Sequence, residues 1–187
     1  MEAGQPVLET TDEPRTTSQS VRLRDEIGDP DQAKGIVEVF LWAIDRYDRL
    51  GLELPPMTVT FHRKRSSCSG LPGLWTSSDD GMRIDICVAG DRKRARILLH
   101  ELAHAWSADH LDQPSRDAFV VRRGLPGWSG ADIEYESRGM ELAAWILVWG
   151  LEDHCEPSKW LLGIDGVDLA YEFEHLTDEA PICTAGP

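Results

Sequence analysis

The chain has 187 residues, 41% hydrophobic and 28% charged, which suits one soluble domain of ordinary size with a real core. Nineteen basic against thirty-three acidic residues give a formal charge of −14, arguing against non-specific binding to nucleic acid or to an anionic membrane. No stretch approaches the length needed to span a bilayer, and the polar N-terminus MEAGQPVLETTDEPRTTSQS lacks a signal-peptide core, so a cytoplasmic protein is expected.

Residues 1–28 are rich in Thr, Ser, Pro, Glu and Asp with little to bury, and are expected to form a disordered N-terminal tail. Residues 29–187 carry no repeat or linker and read as a single domain. Asp29 suits an N-cap, Pro30 the first helical position and Gln32 the arm of a capping box. Ile36, Val39, Phe40, Ala43, Ile44, Tyr47 and Leu50 then recur at helical spacing up to Gly51. Met57, Val59 and Phe61 alternate with polar residues, as do Met82, Ile84, Ile86 and Val88, and Leu74-Trp75-Thr76 reads as a short strand between turns. The short connections predict a small antiparallel sheet.

Asp91 is expected to cap a helix whose first turns carry Arg92, Lys93, Arg94 and Arg96, the unfavourable sign for that end of the dipole. This basic cluster and Arg63-Lys64-Arg65 read as solvated surface. Further helices are predicted at about 115–123, 133–149 and 166–175. The four cysteines, Cys68, Cys87, Cys155 and Cys183, are expected as thiols, with Cys68 and Cys87 close together in a structural role. No paired C-x-x-C spacing points to a metal site at them.

The segment ILLHELAHAW, residues 97–106, sets two histidines and a glutamate among seven apolar residues. On a helix, His100 and His104 project from one face a turn apart, a spacing at which two imidazoles can ligate one metal ion. Glu101 lies about 100° round the helix from His100. It is therefore placed beside the open coordination position, as the general base for metal-bound water, rather than as a ligand. His62, His110, His154 and His175 have no such context and read as surface or packing residues.

A hydrolytic zinc site commonly has three protein ligands, and no third histidine follows at metzincin spacing. The segment IEYESRGMELAAWILVWGL offers Glu134, Glu136 and Glu141. Read as one helix, it puts Glu141 on the core-facing side with Ala144, Trp145 and Val148, where a cation must meet the charge. Glu136 is the rival third ligand, while Glu134 pairs with Arg138 at the surface. Small residues at Ala103, Ala143 and Ala144 would let the two helices approach.

LLHELAHAW followed by a glutamate-bearing helix, after a helix and a small sheet, resembles the gluzincin-type metallopeptidases, most of all the minimal ImmA/IrrE-like group. GLELPPMTVTF, CSG, IDIC and RGMELAAWILVWGL resemble more closely a set of small HExxH proteins from actinobacteria and their phages, over about residues 36 to 176. The resemblance implies zinc held by His100, His104 and a downstream glutamate, with Glu101 catalytic. The expected fold is α+β and zincin-like: an N-terminal helix, a small antiparallel sheet, the HExxH helix and supporting C-terminal helices. The expected activity is zinc-dependent hydrolysis of a protein or peptide substrate, with Tyr135 or Arg138 as candidates to stabilise the oxyanion. The competing readings are a zinc-stabilised module that binds without cleaving, and a metal-free helical domain.

Overall fold

The computed structural model describes residues 21–154, 157–161 and 163–183, so expectations for residues 1–20 lie outside the described residues. Order begins earlier in the chain than composition implies. Val21–Asp25 forms strand β1, correcting the disordered assignment of that part of the 1–28 tail. It pairs in parallel with β2, Met57–Phe61, placing Val21 opposite Met57 and Leu23 opposite Val59. Between them runs α1, Pro30–Arg49, whose N-cap Asp29 accepts from the Asp31 N–H while Gln32 donates to the other Asp29 oxygen at 2.7 Å.

β3, Gly73–Ser78, and β4, Gly81–Ile86, form the antiparallel hairpin that the turn residues predict. The sheet is nevertheless mixed, not antiparallel as expected. Its order is β1-β2-β4-β3, so β4 inserts between β2 and β3 and runs parallel to β2. Short loops between consecutive strands imply antiparallel neighbours only when those strands pair. Here β2 and β3 do not.

The face bearing Val59, Phe61, Ile84 and Ile86 is fully buried under the helices. The opposite face carries Arg22, Arg24, Thr58 and Arg83. α2, Asp91–His110, lies against β3 and β4 on the buried face, and packs most extensively on α4, Gly139–Leu151. The small residues Ala103, Ala143 and Ala144 on these helices have no solvent exposure. α3, Gln113–Arg123, links them, and α5, Gly166–Thr177, closes over α4. At that last crossing a Cβ on Gly150 would stand 2.1 Å from the Phe173 ring, so only glycine permits the approach. No described helix is long and apolar enough to cross a membrane.

Two side-chain expectations change. Cys68 and Cys87 are disulfide-bonded rather than thiols, because pairing of Gly73 with Ile86 brings the two ends of the hairpin together. Cys183 is also disulfide-bonded. A bridge across 19 residues contributes about 3 kcal/mol in the loop-closure account, and such bonds run against a reducing cytoplasm. Arg94 is not surface: only 3% exposed, it reaches the Val88 carbonyl, Asp91 and Gln32, tying the start of α2 to α1. His62 takes the packing role, one of the two expected for it: it is buried, with Nδ1 3.1 Å from Glu26 and Nε2 2.6 Å from Asp85, bracing β1 against β4.

Candidate metal centre

α2 delivers the two histidines from one face, as its period requires. His100 Nε2 and His104 Nε2 lie 3.1 Å apart, with the rings edge to face. Glu141 comes from the first turn of α4, where the helix dipole favours an anion. Its Oε2 stands 3.1 Å from His100 Nε2 and 3.4 Å from His104 Nε2. All three side chains are buried. Among the described residues they form the one group of three ligand-bearing side chains close enough to hold a metal ion.

The choice between Glu141 and Glu136 turns on where the helix begins. The sequence reads as helical from about Ile133, but Tyr135–Ser137 is a 3₁₀ turn and α4 starts only at Gly139. The Gly139 and Met140 N–H groups, left over at the helix start, donate to the carbonyls of Gly127 and Trp128. A Cβ on Gly139 would press on Trp128 and Val120 at 3.1 Å, so the glycine lets this docked start form. Glu134 and Glu136 therefore precede the helix instead of lying on one of its faces, and both are exposed. The expected Glu134–Arg138 pair is replaced as well: Arg138 Nε donates to the Ile133 carbonyl, and its guanidinium lies 5.9 Å over the Tyr135 ring.

The protonation states suit ligation. Burial pushes the His100 imidazole down to about 4, against the hydrogen bond it donates to Glu141, which favours its charged form. Burial opposes ionisation of Glu141, yet hydrogen bonds from His100, His104 and Tyr135 hold its carboxyl well below the usual range. A neutral imidazole and an ionised carboxylate are the forms that bind metal. Burial and the bond to Glu141 raise the Tyr135 phenol, so its hydroxyl keeps its proton.

Glu101 sits beside this group and outside it. Burial pushes its carboxyl up to about 7, against the pull of His104 and of a hydrogen bond from the Trp75 backbone N–H. That donor belongs to β3, the edge strand, and Gly73 two residues earlier presses on the same carboxylate. A Cβ on Gly73 would lie 2.5 Å from Glu101 Oε1. Glu101, His100 and Tyr135 line an open cleft of about 370 Å³, whose other walls are Leu71, Pro72, Ile97 and Trp145. The Trp145 ring tilts against His100 with centroids 4.3 Å apart, and His100 Nδ1 is buried with no hydrogen-bond partner.

Sequence reasoning missed Gly73 and Trp75, since a glycine after a turn carries no signal that a carboxylate lies behind it. Of the two oxyanion candidates, the structure brings Tyr135 to the centre, and Arg138 is committed to the Ile133 carbonyl. His62, His110, His154 and His175 stand outside the ligand group. The chain matches no protein-family model, no curated protein and no solved structure.

Proposed function

We propose that this protein is a zinc-dependent peptide hydrolase, with His100, His104 and Glu141 as ligands and Glu101 as general base. The observation that carries the reading is the convergence of three buried ligand atoms beside a fourth, uncommitted acid at the floor of an open cleft. Donors around a tetrahedral zinc at about 2.1 Å stand about 3.4 Å apart. The separations of 3.1, 3.1 and 3.4 Å fit that ion. The HELAH motif and its resemblance to ImmA/IrrE-like gluzincins support the same metal.

Bound there, zinc would supply a Lewis acid for a peptide carbonyl and for the attacking water. The chain's own groups do the rest. Glu101, titrating near neutrality, takes a proton from the water that attacks the carbonyl carbon and returns it to the departing nitrogen. The Trp75 N–H and the close approach of Gly73 fix the direction of that carboxylate. The Tyr135 hydroxyl, still protonated, is a donor for the negative charge that develops on the carbonyl oxygen. β3 pairs with β4 along one side only, so an extended peptide can add along its open side next to Glu101.

One observation favours the alternative, a zinc-stabilised module that binds without cleaving. A ligating imidazole ordinarily donates its second N–H to an oxygen acceptor, and His100 Nδ1 has none. Native mass spectrometry and proteome-wide mapping of new peptide termini separate the readings. A hydrolase holds about one zinc per chain and generates new termini, and Glu101→Gln keeps the zinc while losing ~10²–10⁴-fold in rate. Zinc retention with no new termini from either protein would favour the binding module. Metal-free protein from zinc-replete cells would defeat both.

A further inference from the structure

On the far side of His104 from the apolar cleft lies a second cavity, of about 180 Å³, with different chemistry. Trp75, Trp128 and Met140 give it apolar walls, and Ser107 and Arg116 line it from the end of α2 and from α3. The guanidinium of Arg116 lies 5.7 Å over the Trp128 ring. One of its nitrogens, Nη2, donates to the Ser107 and Ala108 carbonyls at 3.1 Å, which closes the C-terminal turn of α2. That accounts for one corner of the fork. Arg116 Nε has no partner, and among the described residues no carboxylate lies within ion-pair distance of the side chain.

This is unusual in a chain with a formal charge of −14. Asp112, the acid that feels the Arg116 charge, is engaged in capping α3 by accepting from the Ser115 N–H. Two more groups of the same wall are buried without a partner, the Trp75 indole Nε1 and the Ser107 hydroxyl. Those buried atoms do not reach the cavity, and what its wall presents is the Arg116 guanidinium, a cation that no carboxylate among the described residues neutralises. Such a wall selects an anionic acceptor, because a neutral isostere leaves the charge unsatisfied. The Trp and Met walls lower the local dielectric and strengthen that choice.

Resting on the hydrolase reading, we infer that this cavity is the subsite for a substrate carboxylate, bound by Arg116 beside the bond to be cut. The other side of the centre, lined by Leu71, Pro72, Ile97 and Trp145, takes an apolar side chain. The substrate class is thus a peptide with an apolar residue on one side of the scissile bond and a carboxylate on the other. That carboxylate belongs either to an Asp or Glu side chain or to the peptide's own C-terminus.

The test is binding of synthetic peptides to the zinc-loaded Glu101→Gln protein, measured by calorimetry, so that turnover is not needed. The set consists of alanine heptapeptides with one leucine, carrying Glu or its isostere Gln at each other position in turn, every one as C-terminal acid and as amide. At one position Glu should bind at least about 10-fold tighter than Gln, by the strength of hydrogen bonds to charged groups. If the α-carboxylate is the ligand, the acid should exceed the amide by a similar factor for every peptide. Arg116→Gln should erase the preference and Arg116→Lys should keep part of it. Equal binding of Glu and Gln peptides at every position, together with equal binding of acids and amides, overturns the inference. So does binding of no peptide, or a preference that survives Arg116→Gln. The comparison of isosteres on the Glu101→Gln protein with Arg116 intact decides the matter even if an Arg116 variant folds poorly. The hydrolase reading fails separately, if the protein with Glu101 intact leaves every bound peptide uncut.

Discussion

Replacing Gly73 with alanine adds one methyl group and tests whether β3 holds the catalytic carboxylate in place. The backbone of Gly73 is not in the left-handed region, so alanine is sterically allowed by the main chain. On that count alone the change would stabilise the fold by ~0.4–1 kcal/mol through the unfolded state. The new Cβ, however, would stand 2.5 Å from Glu101 Oε1, 2.6 Å from Ile97 Cγ2 and 2.9 Å from Glu101 Cγ. Ile97 is β-branched and stiff, whereas the carboxylate is the end of a flexible side chain, so Glu101 should move. Overpacking costs roughly 1–3 kcal/mol. The net loss is then about 0–2.6 kcal/mol, a fall of at most about 10 °C in Tm at this chain length. Displacing the base by about 1 Å costs ~10²-fold in rate. The atoms nearest the added Cβ belong to Glu101 and Ile97 and not to a ligand, so zinc content should not change. The assay is kcat on a cleaved peptide, with zinc by native mass spectrometry and Tm alongside. Wild-type kcat in Gly73→Ala, or loss of zinc with it, would refute the placement of Glu101 by β3.

Three further outcomes are expected. Glu141→Gln should lose zinc in a competition titration while Glu136→Gln retains it, and the reverse result would move the third ligand. Because hydrogen bonds hold Glu141 ionised, the metal-free Glu141→Gln protein should also be less stable than metal-free wild type, by roughly 1–3 kcal/mol in urea unfolding. Stability of the metal-free protein should be nearly level between pH 4.5 and 6.5. There the unfolded chain binds a proton at His100 that the folded one lacks, since the folded value is about 4 against 6.5. The folded chain meanwhile keeps a proton at Glu101 that the unfolded one loses, with a folded value of about 7 against 4.5. The two slopes, each about 3 kcal/mol across its range, have opposite sign and cancel. Below about pH 4.5 stability should fall, because the unfolded state protonates Glu141 while the folded state resists, and a steep slope between pH 4.5 and 6.5 would contradict these assignments. Gly150→Ala should lower Tm by several degrees, because its Cβ would stand 2.1 Å from the Phe173 ring; an unchanged Tm would show that α5 shifts without cost.

What the sequence determined by itself is the part governed by local period and local chemistry. Helical spacing puts His100 and His104 on one face whatever surrounds them, and Asp29 with Pro30 and Gln32 starts α1 as its residue types require. The apolar face of α4 was likewise enough to point Glu141 inward. Tertiary structure decided everything that depends on which distant segment arrives. β4 passes between β2 and β3 because their buried faces complete one sheet under α1 and α2, and no turn residue records that order. Val21–Asp25 is polar enough to read as tail, and becomes a strand only when β2 offers it a parallel edge. The start of α4 is set by the Gly127 and Trp128 carbonyls, which capture two helix N–H groups and leave Glu136 in a turn outside the ligand group. Gly73 and Trp75 hold Glu101 through a missing Cβ and a backbone N–H, features that have no side-chain signature. Close approach and long-range pairing are properties of two segments at once, so a reading of one segment at a time has no physical access to them.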